Sequence, residues 1–226
     1  MLKTLTFIAA TAASLGVVAW AQEETPDHRL RSSAEVFHEI MSAPDKGIPR
    51  DTLERAQCVV IVPGLKKAAF LVGGDYGRGF AVCRHHGTWG GPAAIKFGGG
   101  SFGAQIGLES TDVVMLVMDR KGMEKLTEDK FTVGADASAA AGPVGRTASA
   151  DTDASLHAEI LSYSRAHGAF AGVSLDGTVV SKDGGEDRKL YGHEVSNKAI
   201  VEGEVPPPDG ASVLISELDR YPKKHS

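Results

Sequence analysis

Gly98-Gly99-Gly100-Ser101-Phe102-Gly103-Ala104-Gln105-Ile106-Gly107-Leu108 carries the clearest pattern in the chain. Phe102, Ala104, Ile106 and Leu108 fall on one side, and Ser101, Gly103, Gln105 and Gly107 on the other. A repeat of two is the period of a strand, whose successive side chains point to opposite faces. Glycine at this density is poor helix material, and small residues in a strand let another backbone or a ligand approach closely.

Working outward, residues 113–118 form a continuous apolar run that reads as a central strand, followed by a short helix around Met123 and Leu126. Upstream, Cys58-Val59-Val60-Ile61-Val62 is a β-branched run closed by Pro63-Gly64, and reads as a buried strand. Residues 69–72 and 79–84 predict two more strands, joined by the turn-rich Gly73-Gly74-Asp75-Tyr76-Gly77. Residues 131–155 are small and polar, which fits closely approaching backbones or a disordered stretch. Ala169, Ala171, Val173 and Leu175 alternate again, and Asp176-Gly177 predicts a hairpin turn into Thr178-Val179-Val180. Residues 182–189 read as a charged loop.

Helices are expected at both ends. Thr25-Pro26-Asp27 offers a cap with proline at the first helical position, and Leu30, Ala34, Phe37, Ile40 and Met41 follow at helical spacing. A shorter helix beginning at Pro49 carries Leu53 and Ala56 inward. After Pro206-Pro207-Pro208, the residues Ala211, Leu214, Ile215 and Leu218 predict a last helix over 208–221. The expected fold class is α+β: a mostly antiparallel, glycine-rich sheet or barrel-like core with helices at the N- and C-terminal ends.

The N-terminus reads as an address. Lys3, an apolar stretch from Leu5 to Val18 and Ala19-Trp20-Ala21 follow the order of a cleavable secretory signal over residues 1–21. The apolar stretch is shorter than the ~20 residues of a membrane span, which weighs against an uncleaved anchor. The expected product, residues 22–226, is one domain, exported to the periplasm or secreted. With formal charge −5 over the 226 residues, it lacks the electrostatic footprint of a nucleic-acid binder. Its two cysteines, Cys58 and Cys83, could form a disulfide in an oxidising compartment or stay as two buried thiols.

Few motifs carry chemistry. Gly99-Gly100-Ser101-Phe102-Gly103 satisfies G-x-S-x-G, but a nucleophile elbow requires a strand turning sharply into a helix, and Ser101 leads into a period-two stretch. No phosphate-binding loop or dinucleotide fingerprint is present, and Cys83, His85, His86, His157, His167 and His193 match no zinc spacing. No cofactor and no metal are expected. An outer-membrane barrel would require aromatic girdles, whereas aromatics are 6% of the chain and it ends Lys223-Lys224-His225-Ser226.

The ordered series of short blocks says more than any single motif. It runs Gly47-Ile48-Pro49, Ala56-Gln57, Gly73-Gly74, Gly77-x-Gly79, Trp89-x-x-Pro92 and residues 98–107. Thr111-Asp112-Val113-Val114, Gly134-Ala135-Asp136-Ala137 and Gly142-Pro143-Val144-Gly145-Arg146 follow, then Tyr163-Ser164-Arg165, Phe170-Ala171-Gly172-Val173-Ser174 and Tyr191-Gly192. In this order the chain, over about residues 30–203, resembles the SYLF family, also called the Ysc84-type actin-binding domain. The resemblance implies a non-enzymatic lipid-binding module associated with phosphoinositides and, in eukaryotic members, with actin filaments. Its bacterial members are often exported, and actin is not the expected partner of an exported chain.

What carries over is binding to phospholipid or a membrane surface. The family's lipid contact is associated with an N-terminal amphipathic basic segment, which here corresponds to Arg29, Arg31 and Phe37. Lys66 and Lys67, together with Arg78 and Arg84, are two further cationic candidates. The competing expectations are a serine hydrolase using Ser101 and a purely structural envelope or stress protein.

Overall fold

The computed structural model describes residues 24–43, 46–70, 72–101, 107–145, 157–166 and 169–222. Thr25 caps α1 (Pro26–Ser42), its hydroxyl accepting the His28 amide at 3.3 Å, with Pro26 in the first turn. Leu30, Ala34, Phe37 and Ile40 are buried, so the helical spacing of the sequence is the face that α1 turns inward. α2 (Arg50–Arg55) starts after Pro49 and buries Leu53, with Ala56 closing it. No described helix is long and apolar enough to cross a membrane.

Four long strands follow: β1 (Cys58–Phe70), β2 (Val72–His85), β3 (Thr88–Ser101) and β4 (Gly107–Val117). After α3 (Arg120–Thr127) come the short strands β5 (Lys130–Thr132), β6 (Ala139–Ala141), β7 (Ile160–Ala166), β8 (Ala169–Gly172) and β9 (Val179–Lys182). Then come α4 (Gly184–Tyr191), α5 (Asn197–Val201), a 3-10 turn (Asp209–Ala211) and α6 (Ser212–Leu218). Among the described residues the strand order is β5-β9-β3-β2-β1-β4-β7-β6, with β8 also on β7. Every pairing is antiparallel except β6 with β7. The sheet curls into a half-barrel with helices at both ends, the α+β class expected.

Both faces of this sheet are covered. Val59, Ile61, Phe80, Val82, Val114 and Leu116 face the helices, in one cluster with Leu30 and Phe37 of α1, Leu53 of α2 and Leu214 of α6. Val60, Val62, Phe97, Val113, Met115 and Val117 line the other face with Leu126, Phe131 and Ile200. A strand buried on both sides needs apolar residues at every position, which is why β1 and β4 read as continuous runs rather than alternations.

Several expectations are corrected. Pro63-Gly64 does not close β1; the strand continues past a bulge in which the register shifts between Val62 and Leu65. Gly64 takes φ +59 there, and its amide donates to Oδ1 of Asp112 at 2.9 Å. Gly73–Gly77 is not a turn but part of β2, paired with β3 through Gly74 to Gly100 and Tyr76 to Gly98. The alternating stretch at 98–108 is divided between the end of β3 and the start of β4, with residues 102–106 outside the described set. Asp176-Gly177 does turn the chain, with Gly177 at φ +85, but it does not pair β8 with β9. β9 joins β3 and β5 instead. The expected charged loop at 182–189 is the end of β9 followed by α4.

Candidate functional site

Beyond the bulge, β1 to β4 continue as a paired, glycine-rich arm. Lys66 and Tyr76 are register partners across β1 and β2, and both are exposed. Tyr76 is 55% exposed; it and Val213 are the large apolar side chains exposed among the described residues. Lys66 is flanked on its other side by Ser110 of β4, and Tyr76 by Gly98 of β3. Farther along the ladders, Ala68 pairs with Gly74 and Leu108, and Phe70 with Val72. The arm therefore presents a cation and an amphipathic aromatic ring side by side across β1 and β2.

At the base of the arm, on the helix side, lies an ionic cluster. Asp183 caps α4, its side chain accepting the Glu186 amide at 3.3 Å. Asp183, Glu186 and Asp187 are almost fully buried. Arg78 of β2 donates from Nε to Asp183 at 2.8 Å, and Lys96 of β3 reaches Asp183 at 3.0 Å. Arg29 of α1, 4% exposed, pairs with Glu186 and also donates to the Glu24 carbonyl at 3.2 Å. Burial works against the Asp183 charge, but the hydrogen bonds and charges of Lys96 and Arg78 outweigh it and hold the carboxyl below its usual range.

Asp187 differs from its two neighbours in pairing with no cation among the described residues. Its Oδ1 accepts the Ala94 amide of β3 at 2.7 Å, and its Oδ2 is buried with no hydrogen-bond partner. Burial pushes its carboxyl up to about 7, the Ala94 bond opposing this and the nearby Asp183 and Glu186 charges adding to it.

A third polar centre ties the arm to the body. Asp112 of β4 accepts the Gly64 amide on Oδ1 and Arg165 of β7 on Oδ2, the Arg165 Nε lying at 2.8 Å. Arg165 also pairs with Glu39 of α1, and its guanidinium lies 5.4 Å from the Phe170 ring centre. Two of the short sequence blocks, Thr111-Asp112-Val113-Val114 and Tyr163-Ser164-Arg165, thus meet in one ion pair that holds the bulge.

The residues nominated from the sequence separate into two groups. Arg29 is committed to Glu186, and Phe37 is fully buried, its ring edge-on to Tyr221 at 5.8 Å. Arg84 is 8% exposed, stacks on Trp89 at 3.8 Å and donates to the Tyr221 carbonyl at 2.8 Å. These three are interior, so the structure removes them from any surface that could meet a headgroup. Arg78 is mostly enclosed against Asp183. Arg31 and Lys66 are exposed, and the Lys67 side chain lies outside the described set.

Ser101 ends β3 paired with Gly73, so the backbone reaching it is a strand; its side chain and residues 102–106 lie outside the described set. Cys58 and Cys83 are direct partners across β1 and β2 and are joined in a disulfide. Among the described residues no group of three or more His, Cys, Asp or Glu is placed to hold a metal ion.

Sequence reasoning missed Tyr76, Asp183, Glu186 and Asp187. A usable mark was present for the acids: Asp183 with Glu186 three positions later is a capping-box spacing, and Gly192, at φ +75, is a helix-ending glycine.

The fold defines a small α+β half-barrel domain in which Asp183 and Glu186 are paired internally and Lys66 and Tyr76 are exposed on the long strands. Residues 98–221 match the family model described as Ysc84, Las17-binding protein actin regulator. The chain belongs to this family, the SYLF family of the sequence reading. It is 36% identical over 179 residues to LAS seventeen-binding protein 3 of Saccharomyces cerevisiae, covering 77% of this chain and 39% of that one. An SH3 domain-containing protein of Schizosaccharomyces pombe is 39% identical over 176 residues, 76% of this chain and 41% of its own. The SH3 domain-containing YSC84-like protein 1 of Homo sapiens is 32% identical over 193 residues, 84% of this chain and 56% of its own. The chain thus spans about two fifths of the yeast relatives and just over half of the human one.

Proposed function

We propose that this chain is a non-enzymatic phospholipid-binding module of the cell envelope or extracellular space, meeting the membrane surface with the distal end of β1 to β4. The observation that carries this reading is the exposed Lys66–Tyr76 pair on the part of the β1–β2 ladder beyond the bulge. An amphipathic ring and a long cationic side chain are the groups that settle at the level of lipid headgroups, the ring half in the apolar layer and the ammonium in water. α1 is the weaker candidate: its apolar face is spent on the core and Arg29 on Glu186. Export is supported by the order of Lys3, the apolar stretch and Ala19-Trp20-Ala21, and by the Cys58–Cys83 disulfide, which persists in oxidising compartments.

The test is flotation of the purified protein with zwitterionic and anionic liposomes. Wild type is expected to float with anionic vesicles, and Tyr76→Ala to lose most of that binding while unfolding like wild type. Failure of wild type to float with either vesicle sinks the proposal.

A second reading rests on the family description itself, which names an actin regulator. Co-sedimentation with filamentous actin separates the two: a protein that pellets with filaments and does not float would support the actin reading.

A further inference from the structure

α4 does more than follow β9; it completes the edge of β3. The β3–β9 ladder ends at Ile95 and Lys182, and the next bonds come from the turn into the helix. The Asp183 amide donates to the Ala94 carbonyl at 2.9 Å, and the Ala94 amide donates to the Asp187 carboxyl. One turn farther on, the Tyr191 hydroxyl donates to the Pro92 carbonyl at 3.2 Å. Gly91 keeps the room for that ring, since a Cβ there would stand 2.3 Å from the hydroxyl oxygen. A single helical face thus replaces a neighbouring strand over Pro92 to Ala94.

The charges around this seam do not match one to one. The groups facing it are Arg29 from α1, Arg78 from β2, Lys96 from β3, and Asp183, Glu186 and Tyr191 from α4. Arg29 takes Glu186, and Arg78 takes Asp183. Lys96 also lies on Asp183, and at 40% exposure its charge is shared with water. Asp183 and Glu186 thus hold all three cations, Arg78 also lying 3.9 Å from Glu186, and Asp187 is the acid left over. Among the described residues no cation forms an ion pair with it, and its Oδ2 faces no donor. A buried carboxylate in that position carries the desolvation cost of its charge without a counter-ion, whereas a carboxylic acid there keeps its Ala94 bond and carries no charge.

We propose that α4 is a proton-gated latch on the β3 edge, seated when Asp187 is protonated and loosened when Asp187 ionises. Loosening is transmitted to the start of α1, because Arg29 joins Glu186 to the Glu24 carbonyl. It uncovers the backbone groups of Pro92 and Ala94 that α4 serves. The inference does not depend on the membrane reading.

Amide hydrogen exchange on the full chain tests it, with rates corrected for the intrinsic pH dependence of exchange. Protection at Ala94, Glu186 and Asp187 is expected to fall about tenfold from pH 6 to pH 8, while Val114 of the central β4 keeps its protection. Asp187→Asn retains an acceptor for Ala94 and cannot ionise, so its α4 protection is expected to be the same at both pH values. Unchanged α4 protection in wild type, or a full fall retained in Asp187→Asn, overturns the latch. Should that variant not fold, carbon-13 titration of the Asp187 carboxyl in wild type decides: a midpoint near neutrality supports the latch, and one in the ordinary carboxylate range removes it.

Discussion

Gly79 of β2 lies so close under β1 that a Cβ added to it would stand 1.9 Å from the Ile61 carbonyl oxygen and 2.8 Å from Val62 Cα. The contact follows from the bulge, because the register runs from Ile61–Phe80 to Lys66–Tyr76 and the extra β1 residue is pushed toward β2. Both obstructing atoms are backbone, so no rotamer change relieves them. Gly79→Ala is expected to cost more than about 3 kcal/mol in urea unfolding, or to prevent folding. Gly98→Ala is the control: nothing lies within 4 Å of its added Cβ, and its stability should stay within about 0.5 kcal/mol of wild type.

The Cys58–Cys83 bridge closes 25 residues of chain between two adjacent, fully buried strand positions. Its main effect is on the unfolded ensemble, where a loop of this size loses closure entropy worth about 3 kcal/mol. Replacing both cysteines by alanine should lower unfolding stability by that order while leaving the circular dichroism spectrum of the folded state unchanged. Reductant should reproduce the loss only after unfolding, since both sulfurs are enclosed. An unfolding midpoint indifferent to the double substitution would mean that packing alone holds the β1–β2 pair.

Arg29 was nominated from the sequence as a headgroup contact, and its burial against Glu186 makes it a stability residue instead. Arg29→Leu leaves the Glu186 carboxylate inside the protein without its close partner, only Arg78 remaining at 3.9 Å. Breaking a buried pair from one side costs about 3–5 kcal/mol. Arg31→Leu, at an exposed position two residues farther along the same helix and on its other side, should be near neutral. Comparing the two variants by denaturant unfolding, before any lipid assay, separates loss of fold from loss of binding.

These cases mark where the sequence was readable. α1, the apolar runs of β1 and β4, α3 and α6 were legible because burial of a face or of both faces imposes its own period. Gly73–Gly77 was misread because glycine favours turns locally, and only the matching glycines at 98–100 of β3 make that segment a strand. Asp183, Glu186 and Asp187 looked like a solvated loop because charge ordinarily marks surface; what buries them are Arg29, Arg78 and Lys96, about 90 to 155 positions earlier in the chain. The cap and the terminal glycine of α4 are local and were readable. Its partners are not local, and periodicity carries no information about them.

The same acids set a pH dependence of stability. Asp187 is raised from 3.8 to about 7 by burial, so the native state holds a proton that the unfolded chain releases over that window. Its contribution to stability is complete below the unfolded value and is lost as pH rises through the folded one, by at most about 4 kcal/mol at pH 8. Asp183 has the opposite sign: its lowered carboxyl stabilises the fold above its unfolded value, and that contribution is lost as pH falls through the folded one. Wild type should therefore be most stable in mildly acidic solution. Asp187→Asn should remove the decline toward pH 8 and leave the acid limb, as read from urea midpoints across the range. A wild-type midpoint that rises steadily from pH 5 to pH 8 would contradict this assignment.

Lys66 and Tyr76 should contribute to membrane binding in ways that salt separates. The Lys66 ammonium interacts with an anionic surface through a field that fades within a Debye length of about 8 Å at physiological ionic strength. The Tyr76 ring contributes by leaving water, which salt does not screen. Lys66→Glu should therefore abolish flotation with anionic vesicles at physiological salt and recover part of it at high salt, where the introduced repulsion is screened. Tyr76→Ala should weaken flotation by a similar factor at every salt concentration. Both substitutions are at exposed positions on the arm and should leave the unfolding midpoint within about 0.5 kcal/mol of wild type. Equal salt dependence in the two variants would show that the arm is held to the membrane by charge alone, and would remove the insertion of the Tyr76 ring from the proposed mode of binding.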